Sequence, residues 1–170
     1  MPLRQSSSPV RPPLDPLAAD LARDVVGEHY PAESALFDAV LSEFQADPDR
    51  LVGSKALRAP VGMGVDLALV TPNVLAAASF LGGIVAKKTA ETALDAVRER
   101  VAEAWSARRA RRTGQPEPTG GGLPTITSDD DRVTVVVTVH LSSCGVDPTT
   151  AREVAEHVVG KLLLPVEPRR

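Results

Sequence analysis

"DLALVTPNVLAAASFLGGIVAKK", residues 66–88, contains the longest uncharged run of the chain, the twenty positions from Leu67 to Ala86. A helix that spans a bilayer needs about 20 apolar residues, so this length suits either a membrane span or a buried core helix. Thr71 and Pro72 divide the run, because proline at the first helical position loses no hydrogen bond and already has helical φ. We therefore predict that a helix begins near Pro72 with about 15 uncharged residues, roughly 22 Å of helix.

The residues after Ala86 carry the helical pattern further, without proline or glycine as far as the arginine-rich end at residue 112. An apolar stripe at spacings of three and four continues through Leu94, Val97, Val101 and Trp105. We predict one long central helix over about residues 72–109. Its first half supplies the residues expected to form a buried core or to enter a membrane, which are Val74, Leu75, Ala77, Phe80, Leu81 and Ile84.

Two amphipathic helices are predicted before this stretch. The first begins with Asp15 as N-cap and Pro16 at the first helical position. Its apolar stripe consists of Leu17, Leu21, Val25 and Val26. The second follows Pro31, with a stripe of Leu36, Phe37, Val40, Leu41 and Phe44. We expect the two helices to form a hairpin that packs on the central helix.

In the segment "RVTVVVTVHLSS", residues 132–143, every second residue from Val133 to Leu141 is aliphatic, and mostly polar residues lie between them. This alternation is typical of a β-strand. One face would carry the strand-pairing residues Val133, Val135, Val137 and Val139. A strand needs a hydrogen-bonding partner, which would be residues 66–70, residues 161–166 or another molecule. A helix is predicted to follow, with Asp147 as N-cap and Pro148 at its first position.

These patterns predict a mainly α fold of the α+β class, in which a helical hairpin packs on one long helix and a small C-terminal βα unit follows. Residues 1–13 are expected to be a disordered leader and residues 14–112 a helical domain. Residues 113–131 read as a flexible linker, and residues 132–166 as the βα module.

Composition narrows the classes of function. The net charge of −3 argues against a dedicated nucleic-acid binder, so a nucleic-acid partner is not expected. A single cysteine, Cys144, excludes an internal disulfide and a cysteine-based zinc site. The first residues show no apolar signal region, and we expect a cytoplasmic location, with membrane association as the alternative.

Several residues of the chain have side chains that can carry chemistry. Cys144 follows His140 by four positions, while the other two histidines, His29 and His157, lack the spacing of metal ligands. The acidic run at residues 129–131 lacks the alternation of a calcium loop, and "GMG" at residues 62–64 belongs to no phosphate-binding motif. We therefore predict no catalytic residue, no metal site and no cofactor.

A cluster of arginines ends the predicted long helix: Arg108, Arg109, Arg111 and Arg112. Cations at a helix C-terminus complement the helix dipole, which is the structural interpretation of the cluster. The functional alternative is an anionic partner, such as the surface of an anionic membrane.

Residues 36–112 resemble a group of small uncharacterised actinobacterial proteins. The resemblance is carried by Gly62, Gly64, Asp66, Leu69, Thr71, Pro72 and Leu75, followed by a charged helix that ends in "RRARR". Those proteins are associated with genes for NTPase or protease signalling and defence systems. The resemblance implies an accessory or effector role and brings no catalytic residue with it.

The sequence thus predicts a non-enzymatic interaction or self-assembly protein, an accessory component that binds a protein partner or a second copy of itself. The alternative is a small membrane-acting effector that inserts residues 67–86.

Overall fold

The computed structural model describes residues 14–53, 69–86, 95–114 and 128–163. Its helices are α1 (Pro16–His29), a 3-10 helix (Pro31–Leu36), α2 (Phe37–Ala46), α3 (Pro48–Leu51), α4 (Thr71–Ala86), α5 (Asp95–Thr113), α6 (Ser128–Ser143) and α7 (Pro148–Leu163). The predicted mainly helical fold is therefore confirmed. The predicted leader, residues 1–13, and residues 115–127 of the predicted linker lie outside the described residues.

Helix α4 is the central element, because it packs against α1, α2, α3, α5, α6 and α7. It begins at Thr71, so the prediction of a helix start at the Thr71 and Pro72 junction is confirmed. Every residue from Thr71 to Ala78 is buried, and Leu81 is buried as well. The absence of charge in this helix is therefore explained by neighbours around it. No helix in the described part of the chain is both long and apolar enough to cross a membrane.

The N-terminus of α4 is capped by a side chain from the 3-10 helix. One carboxylate oxygen of Glu33 accepts a hydrogen bond from the Val70 N–H at 2.9 Å. The other accepts from the N–H of Thr71 at 2.8 Å and from its hydroxyl at 2.6 Å. The positive end of the helix dipole also favours a carboxylate at this place. Glu33 therefore links the 3-10 helix to the start of α4 through hydrogen bonds.

The prediction of a single helix over residues 72–109 is wrong. Helix α4 ends at Ala86, and α5, which begins at Asp95, packs back against it. A Cβ atom at Gly82 would lie 3.4 Å from Cζ2 of Trp105, whereas a straight helix would separate these positions by roughly 34 Å. The physical reason is burial. The stripe of Val97, Val101 and Trp105 is buried in the folded-back arrangement and would be solvated on a lone extended helix.

Helix α1 begins as predicted, since the Asp15 side chain accepts a hydrogen bond from the Leu17 N–H at 2.9 Å. All four predicted stripe residues of α1 are buried: Leu17, Leu21, Val25 and Val26. The second predicted helix starts with 3-10 geometry and becomes α2 at Phe37. Leu36, predicted in its stripe, is 48% exposed. Both α1 and α2 pack against α4, in agreement with the predicted packing on a central helix.

The predicted strand at residues 132–141 is wrong, because these residues belong to α6, and the described residues contain no strand. Val133, Val137 and Leu141, which are four positions apart, are fully buried along one side of this helix. The hydroxyls of Thr134 and Thr138 each donate to the carbonyl four residues earlier, at 3.1 and 2.8 Å. A helix satisfies its own backbone groups, whereas a strand needs a partner. Of the predicted partner strands, residues 161–163 lie in α7 and residues 66–68 lie outside the described ranges.

A Schellman turn ends α6. The N–H of Val146 donates to the carbonyl of Leu141 at 3.1 Å, and the N–H of Gly145 donates to Ser142 at 3.0 Å. Gly145 has the positive φ of 89° that this turn requires. Asp147 then accepts from the N–H groups of residues 149 and 150, so the predicted N-cap of α7 is confirmed.

Helices α6 and α7 pack closely on each other and also against the rest of the fold. Helix α7 contacts α1, α4 and α5, and α6 contacts α4 and α5. Their apolar residues belong to the same buried cluster as those of α1 and α4. The C-terminal residues that were predicted to form a small βα module thus contribute two helices to the common core.

Candidate interaction surface

The α4 residues predicted for a core or a membrane helix lie in the core. Val74, Leu75, Ala77 and Leu81 are fully buried, and Phe80 and Ile84 are half-buried against the same cluster. None of these six side chains is among the exposed large hydrophobics of the described residues.

Within the arginine cluster, Arg108 and Arg112 form ion pairs with α1. Arg108 pairs with Asp24 and Arg112 pairs with Asp20, so residues four apart on each helix meet in antiparallel order. Arg109 and Arg111 are exposed. An anionic partner at this cluster would have to compete with two carboxylates of the same chain.

The four predicted strand-pairing valines are separated by the helix. Val133 and Val137 are fully buried, whereas Val135 and Val139 are 60% and 62% exposed. In a helix, residues four apart are neighbours on one side, so the two exposed valines lie next to each other.

We call this side of the helix the α6 outer face and define it as Asp131, Arg132, Val135, Val139 and Ser142, all of which are exposed. The polar members flank the two valines at both ends. The α6 outer face therefore presents two neighbouring exposed valines bordered by charged and polar residues.

The thiol and imidazole of the C-terminal part are close to each other. Sγ of Cys144 lies 3.9 Å from Nε2 of His140, and the His140 ring stacks on Phe80 with ring centroids 3.9 Å apart. Burial lowers the pKa of His140. The 3.9 Å contact is within the range of a hydrogen bond to sulfur, and the ring stacking packs His140 between α6 and α4.

A second histidine cluster joins the end of α1 to α7. The rings of His29 and His157 are stacked in parallel, with centroids 3.8 Å apart. The hydroxyl of Tyr30 lies 3.0 Å from Nδ1 of His157 and donates to Glu153 at 3.3 Å. Burial, with the nearby Glu153 carboxylate as the next cause, raises the pKa of Tyr30 to about 12. Burial and then the His29 ring lower the pKa of His157.

Sequence reasoning missed this cluster because its two halves are more than a hundred residues apart. The spacing of Glu153 and His157, four residues apart on a predicted helix, was the only local signal. Within the ranges that the structure describes, no three histidine, cysteine or acidic side chains are placed to hold a metal ion.

The acidic run at the start of α6 is used within the fold. Asp130 pairs with Arg100 of α5 at 2.9 Å, and Asp129 pairs with Arg132 at 3.2 Å. Acidic residues in a first turn also complement the helix dipole. The "GMG" segment, residues 62–64, lies outside the described residues, as does the start of the resemblance motif.

The described surface thus offers one apolar helix side with a polar rim and several charge pairs between helices. Comparison of the chain with protein-family models, with curated proteins and with solved structures finds no match.

Proposed function

We propose that this chain is a non-enzymatic interaction protein that binds a protein partner, or a second copy of itself, through the α6 outer face. The observation that carries the proposal is the adjacent exposure of Val135 and Val139 on a helix whose other apolar residues are buried or half-buried. Apolar residues at positions i and i+4 are the anchors by which a helix binds in a partner's groove.

The burial of α4 favours this function over the membrane-acting alternative. Residues 71–78 pack in the centre of the fold, so their insertion into a bilayer would require α4 to leave six neighbouring helices. Exposure of Val135 and Val139 requires no such opening. An accessory role in a bacterial signalling or defence system is the wider proposal, and it rests on the resemblance of residues 36–112.

Charge substitution on the α6 outer face tests the proposed function. The double variant Val135→Glu with Val139→Glu is compared with Leu36→Glu, which changes an exposed apolar residue elsewhere. Size-exclusion chromatography with light scattering measures self-association, and pull-down from a bacterial lysate measures partner binding. We expect the double variant to lose association at least tenfold and Leu36→Glu to retain it. Equal association of the wild type and both variants, or a wild-type protein that is strictly monomeric and binds no partner, would contradict the proposal.

A further inference from the structure

Helix α6 has a sequence whose local preference is a strand. Its residues 133–139, "VTVVVTV", are seven consecutive β-branched residues. Such side chains lose χ1 freedom in a helix and pack well on a pleated sheet. If the segment were extended, the apolar side chains at residues 133, 135, 137, 139 and 141 would all lie on one face.

Contacts with other helices hold α6 in its helical form. Val133, Val137 and Leu141 are fully buried in the common core. His140 stacks on Phe80 of α4, and Asp130 pairs with Arg100 of α5 at 2.9 Å. These contacts join α6 to distant parts of the chain. If these contacts were lost, the segment would favour an extended strand, because the stability of a helix comes mainly from tertiary packing.

We infer that residues 132–141, when released from α4, α5 and α7, pair as a β-strand with the same residues of a second copy of this chain. The inference goes beyond the proposed function, in which α6 binds as a helix. A released strand exposes unpaired backbone groups and an aliphatic face, and an identical segment satisfies both.

The charges at one end of the segment set the direction of pairing. Parallel, in-register strands would place the aspartates at 129–131 of the two copies beside each other. Antiparallel strands place these acidic runs at opposite ends, and pairing about Val137 sets Val135 of one copy opposite Val139 of the other. The antiparallel arrangement therefore avoids like-charge repulsion and keeps the aliphatic faces aligned.

Two matched double variants test the inference in the full chain. Val135→Leu with Val139→Leu keeps the outer face apolar and raises helix preference. Val135→Thr with Val139→Thr keeps β-branching and lowers apolarity. Each protein is held in the urea concentration at which the same fraction is unfolded. Infrared absorption then measures intermolecular β-sheet, and light scattering measures assembly.

We expect wild type and the Thr variant to form β-sheet assemblies, and the Leu variant to form them at least tenfold more slowly. Leu36→Ala, which removes an exposed apolar residue without β-branching, is expected to behave as wild type. Assemblies that lack a β-sheet signal, or a Leu variant that assembles as fast as wild type, would overturn the inference. Hydrogen exchange of the assembly should show protection at residues 132–141, and protection elsewhere alone would also overturn it.

The same variants separate this inference from the proposed function. In native buffer, docking of helical α6 should survive the Leu substitutions and weaken with the Thr substitutions. For strand pairing in urea we expect the opposite, since the Thr variant should assemble and the Leu variant should assemble slowly. The proposed function and the strand-pairing inference can therefore fail independently of each other.

Discussion

Glu33 accepts three hydrogen bonds from two residues at the start of the central helix. These bonds use both carboxylate oxygens, whereas a glutamine amide has a single oxygen and its nitrogen cannot accept a hydrogen bond. The residue is half-buried, so water replaces these bonds only in part.

We expect Glu33→Gln to lower the free energy of unfolding by about 1–3 kcal/mol, because hydrogen bonds to a charged group are stronger than neutral ones. Urea unfolding followed by circular dichroism measures the loss. Ser34→Ala, at the neighbouring exposed position, is the control. A Glu33→Gln protein as stable as the control would show that the cap contributes little.

Gly53 lies where the segment after α3 meets the turn between α6 and α7. Its φ is +92°, and a Cβ atom there would lie 2.6 Å from the carbonyl oxygen of Cys144. We expect Gly53→Ala to destabilise the fold by about 1–3 kcal/mol through backbone strain and this contact. Gly27→Ala is the matched control, since Gly27 is helical with open space around it, and it should gain up to about 1 kcal/mol. Thermal melts of both variants measure these changes, and we expect Tm to fall for Gly53→Ala and to rise for Gly27→Ala.

The exposed valines of α6 are unfavourable for the helix that contains them. Replacement of Val135 and Val139 by Ala should stabilise the isolated protein by about 0.5 kcal/mol each, because alanine loses no side-chain entropy in a helix. For a chain of this size we expect a rise in Tm of roughly 2–4 °C. Scanning calorimetry at low protein concentration measures it. A fall in Tm would mean that these side chains make stabilising contacts.

At the scale of elements, two histidines link helices that are distant in sequence. His140 of α6 stacks on Phe80 of α4, and His157 of α7 stacks on His29 of α1. Burial lowers the pKa of both His140 and His157 below the ordinary value of 6.5. The folded state therefore favours the neutral imidazoles, because burial penalises the charged form of each ring.

Stability should consequently depend on pH in a definite direction. A lowered histidine pKa contributes full stability above the unfolded value of about 6.5, and this contribution is lost as pH falls through the folded value. We expect Tm to fall between pH 7 and pH 5. His157→Gln and His140→Gln should each flatten the curve, whereas a curve unchanged in the double variant would assign the loss to other groups. The carboxylates of Glu153, Glu156 and Glu28 lie near the His157 ring and raise its pKa, but burial and the His29 ring outweigh them.

For the whole molecule, one core joins the N-terminal and C-terminal helices. Helix α7 packs against α1, α4 and α5, and its valines and leucines share the buried cluster of α4. Trp105, the single tryptophan, is buried and reports on the packing of α5. This arrangement predicts one cooperative unfolding transition.

We expect the fluorescence of Trp105 and the helical circular dichroism signal to change at the same urea concentration. A chain that ends at residue 114 should lose most of its helicity, because α1 and α4 would expose the surfaces that α6 and α7 cover. Two separate transitions, or a stably helical truncated chain, would instead support the predicted division into a helical domain and a C-terminal module.

The sequence by itself determined where three of the helices begin. Asp15 with Pro16, Thr71 with Pro72, and Asp147 with Pro148 mark the starts of α1, α4 and α7. These starts can be predicted because the side chain of an N-cap residue bonds to a backbone N–H only two or three residues later. The buried stripe of α1 was predictable for the same reason, since helical periodicity depends on spacing within one segment.

Only the tertiary structure decided the state of residues 132–141, the return of α5 onto α4 and the joining of His29 to His157. Each depends on groups far apart in the chain, which no local pattern contains. In α6, burial of Val133, Val137 and Leu141 against other helices outweighs the local preference of seven β-branched residues for a strand. Gly145 was the local signal for a helix end, and it acquires that meaning once the preceding residues are known to be helical.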